Sequence, residues 1–338
     1  MDKKIILVTG VAGFIGGHMA QYFLENYDDC LVVGVDKISY CSCLKTIKLL
    51  ETHPNFIFIR SDITDLEAMD YVFYAHKINY VLHFAAYTHV DHSFGNSLLF
   101  TKNNVLGTHV LLEMAKKYKV DRFIHVSTDE VYGNKNELST EESILAPTNP
   151  YSASKTACEH LVMSYYISFG LNVIITRGNN VYGPRQYPEK LIPKFISHLQ
   201  RGEECPVHGS GSQMRSFLYT DDVVRAFDII LRKGEIGEIY NIGASKEYTV
   251  LEVFEQLVRE LYPLSMSSNF NRKCFVKDRD FNDHRYFISS EKLIELGWVQ
   301  NVDFTEGIKR TVEWYRKNSD YFQDCGKMNL YSSSDFDK

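Results

Sequence analysis

The chain has 338 residues, 44% of them hydrophobic, and a net charge of −6, so it can form one large or two modest domains, and nucleic acid is not expected as its main partner. The seven cysteines include no CxxC pair, which indicates reduced thiols, and no metal site is predicted because no ligand set has zinc-like spacing. Without a signal peptide or a membrane-spanning apolar run, a cytoplasmic protein with no membrane partner is expected.

The first predicted elements are a strand, a glycine turn and a helix. Residues 4–9 are β-formers, and Gly10, Gly13 and Gly16 then open an amphipathic segment that runs to about residue 26. Such glycines allow close approach to a pyrophosphate at the helix N-terminus. A second predicted strand, 31–36, ends at Asp36, where a carboxylate accepts both ribose hydroxyls and repels a 2′-phosphate. The pattern therefore predicts NAD as the cofactor, in preference to NADP.

Further strand-like runs follow at 55–60, 79–84, 121–126 and 172–176, with helical patterns between them. This alternation predicts an α/β fold, a Rossmann-like doubly wound parallel sheet that binds ligands at the carboxyl ends of its strands. The predicted NAD-binding domain covers 1–176 plus about 217–243, because strand character returns at 238–243. A smaller interleaved C-terminal region, 177–216 plus about 244–320, is expected to cover the substrate and contains helices near 249–261 and 305–317. The polar stretch 323–338 is predicted to be a disordered tail.

A tyrosine and a lysine occupy one face of the helix predicted after Asn149 and Pro150. The charge of Lys155 is expected to lower the pKa of Tyr151, so that the phenol can take a hydroxyl proton while hydride leaves the same carbon. Lys155 also suits the nicotinamide ribose. An isolated pair of this kind is more typical of a surface helix, but the preceding cofactor motif favours catalysis.

Residues 127–133, after the fifth predicted strand, contain a threonine and two adjacent acids. Thr128 can hydrogen-bond the reacting oxygen. Neighbours on a regular strand point to opposite faces, so Asp129 and Glu130 reach one pocket only if the chain turns there, as Tyr132 and Gly133 suggest. Repulsion between two close carboxylates raises the pKa of one of them and keeps a proton available. The alternative is an ordinary polar loop.

Residues 9–16, Asp36, 83–86, 127–133 and 151–155 resemble the extended short-chain dehydrogenase/reductase superfamily. Within it, the segment 127–133 is similar to the nucleotide-sugar 4,6-dehydratases, especially the dTDP-glucose type. The resemblance continues through 177–184, 188–195 and 215–219 to about residue 317.

The resemblance implies a redox-neutral hydro-lyase that converts dTDP-glucose or UDP-glucose to the 4-keto-6-deoxyglucose nucleotide and water. Tyr151 would deprotonate the 4-hydroxyl as hydride passes from C4 to tightly held NAD. Glu130 would remove the C5 proton, and protonated Asp129 would protonate the departing C6 hydroxyl before hydride returns to C6. Thr128 and Lys155 complete the implied catalytic set.

The resemblance also implies binding residues and a homodimer that pairs helices at about 97–118 and 151–169. The implied NAD contacts are Gly10, Gly13, Phe14, Ile15, Gly16, Asp36, Asp62, Ile63, Ala85, Ala86, Tyr151 and Lys155. The implied contacts to the nucleotide-sugar substrate are Thr88, His89, Asn180, Lys190, Arg215 and Arg279. Asn282 stands where the family has a histidine, which leaves the choice between dTDP and UDP open.

Three other functions stay open. Nucleotide-sugar 4-epimerases share the cofactor site and the tyrosine and lysine, but they lack the acid pair. UDP-glucuronate decarboxylases share the scaffold and carry one acid after the serine or threonine. A non-catalytic NAD sensor would have little reason to combine Tyr151, Lys155, Asp129 and Glu130.

Overall fold

The computed structural model describes residues 3–264, 271–278, 283–323 and 325. Its centre is a seven-stranded parallel sheet. The strands are β1 (Lys4–Thr9), β2 (Cys30–Asp36), β3 (Phe56–Arg60), β4 (Tyr80–His83), β5 (Arg122–Thr128), β6 (Val173–Gly178) and β10 (Ile239–Ile242). Their spatial order is β10-β6-β5-β4-β1-β2-β3. The α/β prediction and the return of the chain to this sheet at 238–243 are confirmed.

Helices cover both faces of the sheet, which explains the nearly continuous apolar runs of its strands. Alternate residues of β1 enter different cores, with Ile6 and Val8 on one side and Leu7 on the other. The first core is covered by α1 (Phe14–Asn26), α2 (Leu44–Leu50), α9 (Thr220–Lys233) and α11 (Glu291–Glu295). The second is covered by α3 (Leu66–His76), α6 (Gly107–Tyr118) and α7 (Pro150–Phe169).

Two short helices and a π-helical turn lead into α6. These are α4 (Val90–Gly95), α5 (Ser97–Phe100) and the turn Thr101–Leu106. Helix α7 begins as predicted, with Pro150 in its first turn and Asn149 as N-cap, because the Asn149 side chain accepts the backbone N–H of Ser152. Among the described residues, no helix is both long and apolar enough to cross a bilayer.

The C-terminal part builds a third apolar core. It contains a three-stranded sheet of β7 (Asn180–Tyr182), β9 (Met214–Tyr219) and β11 (Glu247–Thr249), and a pair formed by β8 (Cys205–His208) and β12 (Lys273–Val276). Its helices are α8 (Leu191–Gln200), α10 (Val250–Leu261) and α12 (Phe304–Lys317). The domain boundaries stay a prediction, and the predicted tail lies outside the described residues except for 323 and 325.

Candidate active site

One large cavity, with a volume of about 490 Å³, opens at the carboxyl ends of the central strands. Its lining comes from the residues that end or follow those strands and from the C-terminal part of the chain. Examples from the sheet are Gly10 after β1, Asp36 of β2, Thr128 of β5 and Gly178 of β6. This is where a doubly wound sheet is expected to bind its ligands.

The glycine turn after β1 brings backbone close to the cavity. Gly10 has φ +72°, and a Cβ there would lie 2.8 Å from the backbone nitrogen of Ala85. A Cβ on Gly16 would clash with the carbonyl oxygen of Gly10. Because only glycine fits both positions, the turn leaves a cradle for a pyrophosphate beside the N-terminus of α1.

The side chain of Asp36 hydrogen-bonds this glycine turn and the segment after β2. Its carboxylate accepts hydrogen bonds from the backbone nitrogens of Ala12 (3.1 Å) and Ile38 (2.8 Å) and from the hydroxyl of Ser42 (2.9 Å). Burial raises the pKa of Asp36. The carboxylate lines the cavity at the end of β2, where a ribose would lie.

Most residues predicted to contact NAD lie in the cavity wall, and Asp62 is the exception. The cavity is lined by Gly10, Gly13, Phe14, Ile15, Gly16, Asp36, Ile63, Ala85, Ala86, Tyr151 and Lys155. Asp62 does not line it and forms an ion pair with Lys37 at 3.3 Å. The glycine cradle and the carboxylate at the end of β2 fit a dinucleotide with a free 2′-hydroxyl.

The chain turns after β5, so that Glu130 lines the cavity and Asp129 is held just behind its wall. Asp129–Tyr132 forms one turn of 3₁₀-helix, and the Thr128 hydroxyl caps it by accepting the N–H of Glu130 at 3.3 Å. Glu130 and Thr128 line the cavity, whereas Asp129 lies directly behind them and is only 3% exposed. The Thr128 hydroxyl donates to Oδ1 of Asp129 at 3.1 Å, so Asp129 is one hydrogen bond from the wall.

The two acids have different environments. Burial, followed by the charge of Glu130, raises the pKa of Asp129 to about 7, while the amide of Asn179 opposes this shift. Burial also raises the pKa of Glu130, against a hydrogen bond of 3.1 Å from the Asn149 amide. Repulsion between the two carboxylates was the predicted cause of a raised pKa. For Asp129 this repulsion is the second cause, after burial.

Tyr151 and Lys155 lie on one face of α7 and line the cavity. Burial and the charge of Glu130 raise the pKa of Tyr151, although a hydrogen bond with Thr128 opposes the shift. This differs from the lowered pKa predicted from the lysine spacing. Burial lowers the pKa of Lys155, because the charged form loses its solvent.

The predicted substrate residues converge on the same cavity. Its wall contains Thr88, His89, Asn180, Lys190 and Arg215. Lys190 donates from Nζ to the carbonyl oxygen of Thr88 at 3.1 Å. Arg279 and Asn282 lie outside the described residues. In the described part of the chain, no group of three or more side chains is arranged to hold a metal ion.

The sequence argument missed several polar residues of this site. Asn179 and Asn149 bond the two acids, and both could have been found from their positions at the end of β6 and at the start of α7. Glu189, Asp283 and Tyr286 also line the cavity. Their approach depends on how the C-terminal part folds over the sheet, which no local pattern reveals.

Comparisons with known proteins place the chain in a family. The family model described as GDP-mannose 4,6 dehydratase matches residues 7–311. The dTDP-D-glucose 4,6-dehydratase of Homo sapiens is 48% identical over 317 residues, which are 93% of this chain and 91% of that protein. The crystal structure of the dTDP-glucose 4,6-dehydratase DesIV from Streptomyces venezuelae, with NAD and TYD bound, has a TM-score of 0.89 and 37% identity, and the match covers 94% of this chain and 98% of that one.

A longer relative is also similar. The trifunctional UDP-glucose 4,6-dehydratase/UDP-4-keto-6-deoxy-D-glucose 3,5-epimerase/UDP-4-keto-L-rhamnose-reductase RHM3 of Arabidopsis thaliana is 48% identical over 326 residues, which are 95% of this chain and 48% of that protein. The chain thus spans about half the length of this relative. Because matches of this extent run through the glycine turn, the acid pair and the tyrosine helix, the chain belongs to the nucleotide-sugar 4,6-dehydratase family of the extended short-chain dehydrogenases/reductases.

Proposed function

We propose that the chain is an NAD-dependent 4,6-dehydratase of dTDP-glucose or UDP-glucose. The observation that carries the proposal is the joint placement of a tyrosine and two unlike acids at one cavity. Tyr151 and Glu130 line it, and Asp129 lies behind Thr128 with a pKa near 7. Relatives that are named dehydratases of dTDP-glucose and UDP-glucose support the same activity.

The residues in the cavity wall fit the cofactor and would hold it. Gly10 and Gly16 leave room for the pyrophosphate, Asp36 would accept the ribose hydroxyls, and Lys155 would hold the nicotinamide ribose. When bound, NAD supplies the chemistry of hydride acceptance from C4 and hydride return to C6. The NAD in the DesIV structure supports this assignment.

The first step is assigned to the tyrosine helix. The phenolate form of Tyr151 accepts the proton of the sugar 4-hydroxyl as C4 is oxidised, and Thr128, whose hydrogen bond favours that ionised form, holds the reacting oxygen. The resulting ketone at C4 makes the C5 hydrogen acidic. Thus the first step prepares the elimination, for which the two acids are needed.

The elimination is assigned to the acid pair. Glu130, which lines the cavity, removes the C5 proton. Asp129 protonates the C6 hydroxyl as it leaves, through the Thr128 hydroxyl that joins it to the cavity wall. The raised pKa of Asp129 keeps a large share of it protonated near neutral pH, as a general acid requires. Thr88, His89, Asn180, Lys190 and Arg215 would bind the sugar nucleotide, and Lys190 and Arg215 would supply positive charge for the diphosphate.

A product assay tests the function. The chain is incubated separately with dTDP-glucose, UDP-glucose and UDP-glucuronate, and the products are identified by mass. Loss of water from either glucose nucleotide is expected. Loss of carbon dioxide would indicate a decarboxylase, an isomer of unchanged mass an epimerase, and no turnover a non-catalytic sensor. The better substrate among the first two also identifies the preferred nucleotide.

We also propose a homodimer in which α5 to α6 and α7 pair with a second copy. These helices expose large apolar side chains, among them Leu98 (83% exposed) and Ile167 (76%). The double variant Leu98→Asp/Ile167→Asp should elute as a monomer in light-scattering chromatography. Ile144→Asp, at an equally exposed site outside these helices (82%), should not change the mass. A monomeric parent chain would contradict the proposal.

A cytoplasmic location is proposed as well. All seven cysteines are free thiols in the structure, as expected in a reducing compartment. Cell fractionation of the tagged chain tests the location, and recovery in a secreted fraction would contradict it.

A further inference from the structure

Strand β6 carries a buried arginine that does not line the cavity. Arg177 is 3% exposed, and its Nε lies 3.1 Å from each carboxylate oxygen of Glu159. Its Nη2 adds a bond of 2.7 Å to Oε2 of the same carboxylate. Burial of two charges costs desolvation free energy that offsets most of their attraction, so such a pair adds little net stability. Its bidentate geometry, however, fixes the two side chains relative to each other.

The other side of the guanidinium reaches the turn that carries the acid pair. Nη1 of Arg177 donates to the hydroxyl of Tyr132 at 2.8 Å and to the carbonyl oxygen of Glu141 at 3.0 Å. Tyr132 is the last residue of the turn that carries Asp129 and Glu130. Its hydroxyl donates in turn to Oδ1 of Asn241 at 2.8 Å. One guanidinium therefore contacts this turn through Tyr132, which does not line the cavity.

Glu159 connects this contact to the tyrosine helix. Tyr151, Lys155 and Glu159 follow one another at four-residue spacing on α7, so they lie along one stripe of the helix. Tyr132, Glu159 and Arg177 are all buried, and the cavity wall includes none of them. They join the two elements that carry the catalytic groups without touching the space for the substrate.

We propose that Arg177 is a positioning residue for the dehydratase reaction. Through Tyr132 and Glu159, Arg177 fixes the acid pair at a set distance from Tyr151 and Lys155. Arg177, Tyr132 and Glu159 are together called the Arg177 clamp. The inference rests on the proposed function, because a 4,6-dehydratase must oxidise C4 and eliminate across C5 and C6 of one bound sugar. A misplacement of about 1 Å can reduce the rate of such a step about 100-fold.

The clamp affects the two steps unequally. Helix α7 has 20 residues, a capping box and its own core contacts, so Tyr151 stays in place when one hydroxyl contact is lost. The turn that carries the acids has only four residues. Loss of the clamp therefore displaces the acids more than the tyrosine, and the elimination slows more than the oxidation.

Tyr132→Phe tests this prediction because it removes the hydroxyl and keeps the ring. We expect kcat to fall about tenfold with KM changed less than about twofold, since no clamp residue lines the cavity. Reduced nicotinamide should accumulate on the enzyme during turnover, which is visible by absorbance. Tyr240→Phe is the matched control: Tyr240 is buried (2% exposed), its hydroxyl accepts the N–H of Glu235 at 2.9 Å, and it lies outside the cavity wall. Its kinetics should equal those of the parent enzyme.

A second variant, Arg177→Met/Glu159→Gln, removes both charges together and so avoids an unpaired buried charge. It should show the same accumulation of reduced nicotinamide, with an unfolding midpoint close to that of the parent. If both variants keep the parent kcat and the parent level of reduced nicotinamide, or lose only thermal stability, Arg177 does not position the acids. A parent enzyme that releases no water refutes the proposed function, and the clamp with it; an active parent with unaffected variants refutes the clamp alone.

Discussion

The side-chain amide of Asn179 donates a hydrogen bond of 2.6 Å to Oδ2 of Asp129. This contact joins the residue after β6 to the turn after β5, and it is made to the acid that lies behind the cavity wall. A hydrogen bond to a carboxylate favours its ionised form, so Asn179 limits the rise in the Asp129 pKa that burial causes. The acid is thereby left with a pKa of about 7, in the range where a general acid is most effective.

The pH dependence of kcat should report the ionisation of Asp129. Because Asp129 works in its protonated form, kcat is expected to fall as the pH rises through about 7. In Asn179→Ala the ionised form loses a hydrogen bond, the pKa rises further, and the falling limb should move to higher pH by about one unit. The measurement is kcat as a function of pH with saturating substrate.

Asn172→Ala is the control for that shift, since Asn172 is exposed at the other end of β6. Its pH profile should match that of the parent. A falling limb that stays in place in Asn179→Ala would mean that another group controls the profile, and Asp129 would lose its role as the acid.

Glu130→Gln should separate the two halves of the reaction. The variant keeps the shape of the side chain and its contact with Asn149 but removes the base. Oxidation at C4 is expected to proceed, and bound reduced nicotinamide should accumulate while product formation falls about 10²- to 10⁴-fold. Glu142→Gln, at an exposed position beyond the turn, should behave as the parent. Unchanged turnover in Glu130→Gln would remove Glu130 from the mechanism.

Tyr151→Phe should stop the reaction earlier. Without the phenol no group takes the proton of the 4-hydroxyl, so mixing with substrate should give no reduced nicotinamide and a loss of turnover of about 10²-fold or more. Tyr165→Phe provides the control on the same helix, because Tyr165 bonds Glu113 and lies outside the cavity wall. Normal formation of reduced nicotinamide in Tyr151→Phe would assign the proton transfer to another residue.

The sequence predicted the parts of the site that depend on local spacing. The strand, the glycine turn and Asp36 lie within one β-α-β unit, so their pattern alone places them together. Tyr151 and Lys155 needed only a helix and its N-cap at Asn149. Such features follow from short-range geometry.

The parts that could not be predicted depend on contacts between distant segments. Asn149 was recognised as a cap, yet its second role, the bond from its amide to Glu130, requires α7 to begin beside the turn after β5. Glu159 lies on α7 and Arg177 lies on β6, and only the packing of this helix against this strand brings the two side chains together. Burial of Tyr151 and Lys155 likewise reversed the expected pKa shift of the tyrosine, because spacing reveals a neighbouring charge but not the loss of solvent.

Asp36→Asn should weaken NAD binding for two reasons. The substitution removes the charge expected to face the ribose hydroxyls. Because an amide has one oxygen where the carboxylate has two, it also places an N–H group toward one of the two backbone donors, Ala12 or Ile38. Charged hydrogen bonds of this kind contribute about 1.5–3 kcal/mol, so the Kd for NAD should rise about 10- to 150-fold. The affinity for NADP should fall less, because the repulsion of its 2′-phosphate is also lost.

Titrations of both cofactors, monitored by protein fluorescence, measure these changes. Asp28→Asn is the matched control, since Asp28 is exposed just before β2 and makes no part of the cavity wall; its affinities should equal those of the parent. The unfolding midpoint without cofactor separates loss of the ribose contact from general loosening of the glycine turn. If Asp36→Asn binds NAD as tightly as the parent does, the carboxylate at the end of β2 does not hold the ribose, and the preference for NAD must be determined elsewhere in the cavity.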